Sequence, residues 1–256
     1  MTALLTAVLC LLIPAQAPSP RTWEIDGVKR EALIFSPTTK AAGKAPLVFD
    51  FHGHGGTARH AARTHHIHAE WPEAVVVYMQ GLNTAGRLTD PEGKKPGWQK
   101  GPADQNDRDL KFFDAVLASV KKDFPIDENR IYATGHSNGG AFTYLLWAKR
   151  GDVFAAFAPV AAAARLYFAD AKPKPLFHTA SESDPLVKIA VQQRTIDRVR
   201  KLDGCGDKRE EWAKGCLKYS STKGPPVVVY MHEEGHKYPA ETPALIVKFF
   251  KEQAKK

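Results

Sequence analysis

Short apolar runs recur along the chain at residues 46–51, 74–79, 130–134, 154–160, 176–179 and 227–231, some of them (Val75-Val76-Val77, Val227-Val228-Val229) without a polar interruption. A run that does not alternate with polar residues belongs to a strand covered on both faces, the signature of a parallel sheet. Between these runs the period changes. In residues 107–124, Leu110, Phe113, Leu117, Val120 and Phe124 follow a three-then-four spacing that gathers them on one helical face, and Pro125 ends the segment. Helices are expected also at 57–69, 140–150, from about 186 to 202, and at 243–253. Strands alternating with amphipathic helices predict one α/β domain, a mostly parallel, doubly wound sheet with helices on both faces. Near the start, residues 23–25 and 30–35 flank Asp26-Gly27, a dipeptide suited to a tight hairpin turn. Residues 37–44 and the Gly-, Pro- and charge-rich stretch 82–101 read as loops, and 162–175 as a local insertion or small helix. There is no internal repeat and no interdomain linker.

The pattern differs at the N-terminus. Residues 3–13 are apolar, Pro14 breaks the run, and Ala15-Gln16-Ala17 supplies a small-x-small end. This matches a secretory signal at 1–17, cleaved after Ala17, ahead of a catalytic domain at 21–256. A secreted or periplasmic location is expected. No other segment approaches the ~18 apolar residues a membrane span needs, so no stable membrane association is expected after cleavage. The remaining cysteines are Cys205 and Cys216. An even count in an exported chain favours a disulfide between them over two free thiols or half of a metal site, since no CxxC or ligand-spaced histidine accompanies them.

Composition adds exclusions. With 256 residues, 43% hydrophobic and 25% charged, the chain is ordinary globular material of single-domain size. The net charge of +8 is dispersed among neighbours of both signs, as in Lys208-Arg209-Glu210-Glu211. It forms no basic stripe with interleaved aromatics, so no nucleic-acid partner is expected.

The chemistry centres on Gly135-His136-Ser137-Asn138-Gly139-Gly140, where an expected strand runs straight into an expected helix. G-x-S-x-G in that context is a nucleophile elbow. The turn is so sharp that a Cβ at Gly135 or Gly139 would meet backbone, Ser137 must take a strained conformation, and the helix N-terminus below it favours an anionic intermediate. A serine hydroxyl needs a base, and the base needs an orienting acid. Asp184, in Ser183-Asp184-Pro185, follows the strand at 176–179; His236, in Gly235-His236, follows the strand at 227–231. Glu182 is the competing acid. His178 lies within a strand, where a packed core role is expected, and His232 comes too soon after its strand to leave a loop. The order Ser, Asp, His is that of α/β-hydrolases.

His52-Gly53-His54-Gly55-Gly56 ends the strand at 46–51 and resembles the glycine-rich oxyanion loop of such enzymes. The two amide donors are then expected from Asn138 and His54. The other histidines at 60, 65, 66 and 68 show no H-E-x-x-H pair, and Arg59 and Arg63 would repel a cation, so no metal and no cofactor are expected. Asp109 reads as a capping or loop-tethering carboxylate.

With the His52-Gly53 loop, Gly97-Trp98, residues 107–113, the elbow with its doubled glycine, Ser183 to Val187 and Gly235-His236, the chain resembles, over roughly 44–250, the extracellular esterase group of polyhydroxybutyrate depolymerases and feruloyl or acetyl xylan esterases. The resemblance implies a single-domain α/β-hydrolase fold and a secreted serine esterase for esters of hydroxy acids or aromatic acids. In that mechanism Ser137 attacks, His236 takes and returns the proton, and Asp184 holds the imidazole. Asn138 departs from the group, which often has a smaller residue there, and would narrow the site. With no appended polymer-adhering domain, a small-molecule or oligomeric ester is expected rather than a solid polymer. Trp98 reads either as an aromatic wall of the acyl pocket or as an ordinary partly buried tryptophan. The rivals are a serine peptidase of prolyl-oligopeptidase type, or a binding protein on a hydrolase fold.

Overall fold

A computed structural model describes residues 18–39, 43–86, 89–222 and 224–255. The proposed signal segment lies outside the described residues. The strands are β1 (Ser19–Ile25), β2 (Val28–Phe35), β3 (Ala45–Phe51), β4 (Val75–Met79), β5 (Leu82–Asn83), β6 (Pro96–Gly97), β7 (Ile126–His136), β8 (Ala156–Val160), β9 (Leu176–Ser181), β10 (Cys205–Ala213), β11 (Cys216–Ser221) and β12 (Val227–His232). The helices are α1 (Ala58–Thr64), α2 (Ile67–Glu70), α3 (Arg108–Asp123), α4 (Asn138–Arg150), α5 (Ile189–Asp203) and α6 (Thr242–Lys251).

Ten strands form one sheet in the order β1-β2-β4-β3-β7-β8-β9-β12-β11-β10. The centre, from β4 to β12, is wholly parallel, and an antiparallel hairpin closes each side. Every residue of β3, β4, β8 and β9 is buried, including the polar Asp50, His178, Thr179 and Ser181, as central strands covered on both faces require. Two cores result. Phe49 with Phe113 of α3, Phe142 and Leu146 of α4 and Ile196 of α5 belong to one. Val48, with Ala61 of α1, Ile67 of α2 and Ile246 and Phe250 of α6, belongs to the other. Adjacent strand residues point to opposite faces, so helices on both sides are needed to cover them.

The expected helix over 57–69 is two helices. Thr57 caps the first through its hydroxyl, which accepts from the His60 N–H, and His66 at φ 26° interrupts the helix before α2. The β10–β11 hairpin escaped the sequence reading because β10 is an exposed edge strand, Gly206 to Glu211 being solvated, so it carries no apolar pattern. It also corrects the disulfide. Cys205 pairs across the hairpin with Ser221, whereas Cys216 sits beside the turn opposite Ala213, and both thiols are free. They lie at opposite ends of the β10–β11 hairpin, whose β10 strand has 9 residues, far beyond the ~7 Å separation of Cα atoms that a bridge tolerates.

Asp203, the last residue of α5, is 2% exposed; its Oδ1 accepts a 3.3 Å bond from the Lys174 N–H and its Oδ2 has no partner. Burial pushes its carboxyl up to about 8. Because the folded state holds this proton more tightly than the unfolded state, the protonated group's stabilisation is complete at low pH and is lost as pH rises from about 4 to about 8. Asp203→Asn removes that dependence. In urea unfolding, the stability of the variant relative to the native chain should rise by about 1–3 kcal/mol between pH 5 and pH 8. A gap that stays constant would mean the carboxyl titrates normally.

Candidate active site

Four strand ends carry the site, and each leaves the sheet at the same edge. β7 delivers Ser137 at φ 54°, ψ −115°, a conformation an L-residue adopts only when its surroundings impose it. The crowding is measurable. A Cβ on Gly135 would come within 2.7 Å of the Gly139 carbonyl carbon, and one on Gly139 within 2.1 Å of the Phe51 oxygen. Gly140 is pressed against Ala162, which a Cβ would approach to 2.6 Å. The Ser137 N–H is tied to the Val160 oxygen at 2.8 Å, and α4 starts at Asn138. The first turn of a helix leaves its N–H groups free to face a ligand.

β9 delivers Asp184 and β12 delivers His236. The His236 Nε2 lies 2.8 Å from the Ser137 Oγ, and its Nδ1 lies 2.9 Å from the Asp184 Oδ2. A carboxylate can only accept, so Nδ1 carries the hydrogen and Nε2 is left to accept the serine proton. The Asp184 side chain is fully buried, and its Oδ1 accepts from the Leu186 and Val187 N–H groups, each at 2.8 Å. The two loops are also stitched together. Gly235, at φ +72°, donates its N–H to the Ser181 Oγ at 3.2 Å, and the Ser183 Oγ donates to the Glu233 oxygen at 2.9 Å. The competitors fall elsewhere: Glu182 is exposed, and His232 Nδ1 accepts from the Glu234 N–H at 3.2 Å, where it braces the turn.

β3 ends in the His52–Gly56 loop. A Cβ on Gly53 would lie 3.6 Å from the Ser137 Cβ, so this loop borders the nucleophile. Buried His52 locks it: Nδ1 donates to the Gly53 oxygen at 2.8 Å, while Nε2 accepts from the Gly81 N–H at 3.0 Å. Burial holds His52 down to about 4, so it stays neutral. The His54 Nε2 lies 2.9 Å from the Thr84 oxygen, which holds this side chain to the loop after β5. Asp50 and His65, buried together at 2.8 Å, and His68, bonded to the Tyr78 hydroxyl, have structural partners too.

Trp98 is fully buried and does not line an open pocket. Its indole N–H donates to the His52 oxygen at 2.8 Å, and its ring packs on Phe51, Phe142 and His52. An indole with its one donor satisfied and apolar neighbours on its faces belongs to the core. Its backbone holds Asn138 instead. The Trp98 N–H donates to the Asn138 Oδ1 at 2.7 Å, so that side chain is turned into the loop and braces the elbow rather than narrowing the site. Asp109 tethers the same loop, accepting from Arg30 Nη2 and from the Gln99 N–H, both at 2.7 Å. The polar residues missed from sequence share one signal, a polar group inside an apolar stripe: Gln192 falls on the buried face of α5 with Thr195, Ile196 and Val199.

A mostly parallel sheet with an elbow serine, a histidine and an acid meeting at one edge is the arrangement of the α/β-hydrolase fold. Comparison with known proteins agrees. The family model described as the prolyl oligopeptidase family matches residues 98–198. Feruloyl esterase D of Neurospora crassa is 30% identical over 116 residues, 45% of this chain and 39% of that protein. A bifunctional acetylxylan esterase/xylanase of Neocallimastix patriciarum is 27% identical over 164 residues, 63% of this chain and 22% of the relative. The chain thus spans well under half the length of these curated relatives. The acetyl xylan esterase structure from Aspergillus awamori superposes with a TM-score of 0.70 at 12% identity, covering 91% of this chain and 99% of that one. The chain has the α/β-hydrolase fold, and the curated relatives it matches are esterases by name.

Proposed function

We propose that the protein is a serine esterase that hydrolyses carboxylic esters of small or oligomeric substrates, with aromatic-acid or hydroxy-acid acyl groups. The observation that carries this reading is the unbroken Ser137–His236–Asp184 line at 2.8 and 2.9 Å. Ser137 attacks the ester carbonyl as His236 accepts its proton. The negative oxygen is met by the backbone N–H groups of Asn138 and His54, at the α4 N-terminus and on the loop beside Ser137. Asp184 keeps the imidazole in the accepting tautomer and stabilises its cation. The protonated His236 then gives its proton to the leaving alcohol, and a water activated by the same histidine frees the acid. The feruloyl and acetylxylan esterase relatives support ester over amide substrates.

Export fits the apolar segment and small-residue end at 3–17. Among the described residues no helix is long and apolar enough to cross a membrane.

The second reading, a peptidase, is favoured only by the prolyl oligopeptidase family match. The test is direct. The purified protein should be labelled by a fluorophosphonate probe and should turn over acetyl, butyryl, feruloyl and hydroxybutyryl aryl esters at least about 10²-fold faster than matched peptide anilides. Faster anilide cleavage would make it a peptidase; no labelling and no turnover would leave a binding protein.

A further inference from the structure

Beneath the acid runs a line of buried polar side chains that the mechanism above does not use. Gln192, on α5 and fully buried, places its Nε2 3.2 Å from the Asp184 Oδ2 and 2.7 Å from the Val187 oxygen. Its Oε1 lies 3.1 Å from the Nε2 of His178 on β9, and the His178 Nδ1 lies 2.8 Å from the hydroxyl of Tyr144 on α4. His178 is fully buried as well.

Donor and acceptor bookkeeping allows one arrangement. Asp184 Oδ2 and the Val187 carbonyl only accept, so both must face the two hydrogens of the Gln192 amide nitrogen. A flipped amide would put its oxygen against two other oxygens. The Gln192 Oε1 therefore accepts from His178, which must carry its hydrogen on Nε2, and the free Nδ1 accepts the Tyr144 O–H. Burial holds His178 down to about 4, so the ring is neutral at ordinary working pH and the line is not broken by protonation. The line begins on α4, the helix under the nucleophile, crosses β9 and ends on the acid.

We infer that Gln192, locked by His178 and Tyr144, is a positioning residue for Asp184: it fixes the carboxylate against His236 and moderates its basicity by donating to the same oxygen that His236 uses. The inference rests on the serine-hydrolase reading and deepens it. Asp184 Oδ2 has two donors, and the share taken by Gln192 weakens its hold on the imidazole hydrogen. Without Gln192 the carboxylate is more basic and less constrained. It then favours the protonated imidazole before substrate arrives and holds the ring less accurately during proton transfer.

The experiment compares native protein with Gln192→Leu, Gln192→Glu and Tyr144→Phe on one aryl ester across pH. Gln192→Leu removes the donor, and kcat should fall about 10-fold with KM changed less than about twofold. The acid limb of kcat/KM should move up by about half a pH unit or more. The isosteric Gln192→Glu keeps the acceptor for His178 but sets a second acidic oxygen against Asp184, so both effects should be larger. Tyr144→Phe, which deletes one oxygen and frees the His178 tautomer, should shift the limb in the same direction by less. The imidazole of His236 is also faced by the His136 ring at 5.0 Å, and His232 feels Asp184, but these groups are common to all variants. If the native protein hydrolyses the ester through Ser137 and the Gln192 variants keep its kcat and acid limb, the inference is overturned. It is overturned equally if they lose only thermal stability and the limb stays in place. If the native protein has no Ser137-dependent turnover, it is the hydrolase reading itself that fails.

Discussion

Ser137→Ala should lower kcat for an aryl ester by about 10⁴–10⁶ while the melting temperature stays within a few degrees of native. The size follows from what remains. Without the Oγ no acyl-enzyme can form, and the imidazole 2.8 Å away has only water to activate. The oxyanion donors and substrate binding stay in place, so residual catalysis above the uncatalysed rate is expected. The fold should be indifferent, because alanine has the same Cβ and is as strained at φ 54° as serine. The Ser137 N–H bond to Val160 is also independent of the side chain. Steady-state kinetics and a thermal melt measure both quantities, and fluorophosphonate labelling should vanish in parallel. More than about a tenth of native kcat surviving would move the nucleophile elsewhere.

Asp184→Asn should cost about 10³–10⁴ in kcat, more than the loss of one hydrogen bond would suggest. Asp184 accepts on both oxygens, from two backbone N–H groups on Oδ1 and from His236 and Gln192 on Oδ2. An asparagine keeps its oxygen toward the two backbone donors, so its NH₂ faces His236. The imidazole must then accept at Nδ1 and carry its hydrogen on Nε2, which turns the base into a donor toward Ser137. The same NH₂ also meets the NH₂ of Gln192. The check is kcat together with a KM that changes little, since the acid does not touch substrate in this arrangement. A variant with near-native kcat would remove Asp184 from the reaction and return attention to the exposed Glu182.

Much of this architecture is legible in local pattern. The apolar runs at 46–51, 74–79 and 227–231 fall in β3, β4 and β12, and the three-then-four spacing from Leu110 to Val120 lies in α3. The elbow is legible for a steric reason: only glycine fits where Phe51, Gly139 and Ala162 crowd the turn. Asp184 and His236 were readable because a parallel sheet sends successive strand ends to one edge. Trp98 was not. The sequence left it between a pocket wall and a partly buried residue, and the His52 carbonyl and ring with two phenylalanines, brought in from distant parts of the chain, bury it.

The cysteines mark the same boundary. Parity and the expectation of export argued for a bridge, yet a hairpin with no apolar alternation holds Cys205 and Cys216 apart. Period, chirality and the bulk of a Cβ act over a few residues, so the amino-acid order dictates where strands, helices and the strained serine fall. Which oxygen each donor finds depends on groups far apart in the chain. The Gln192 amide, the Asn138 side chain and the two thiols acquired their partners, or failed to, when the sheet closed and the strand ends came to share one edge.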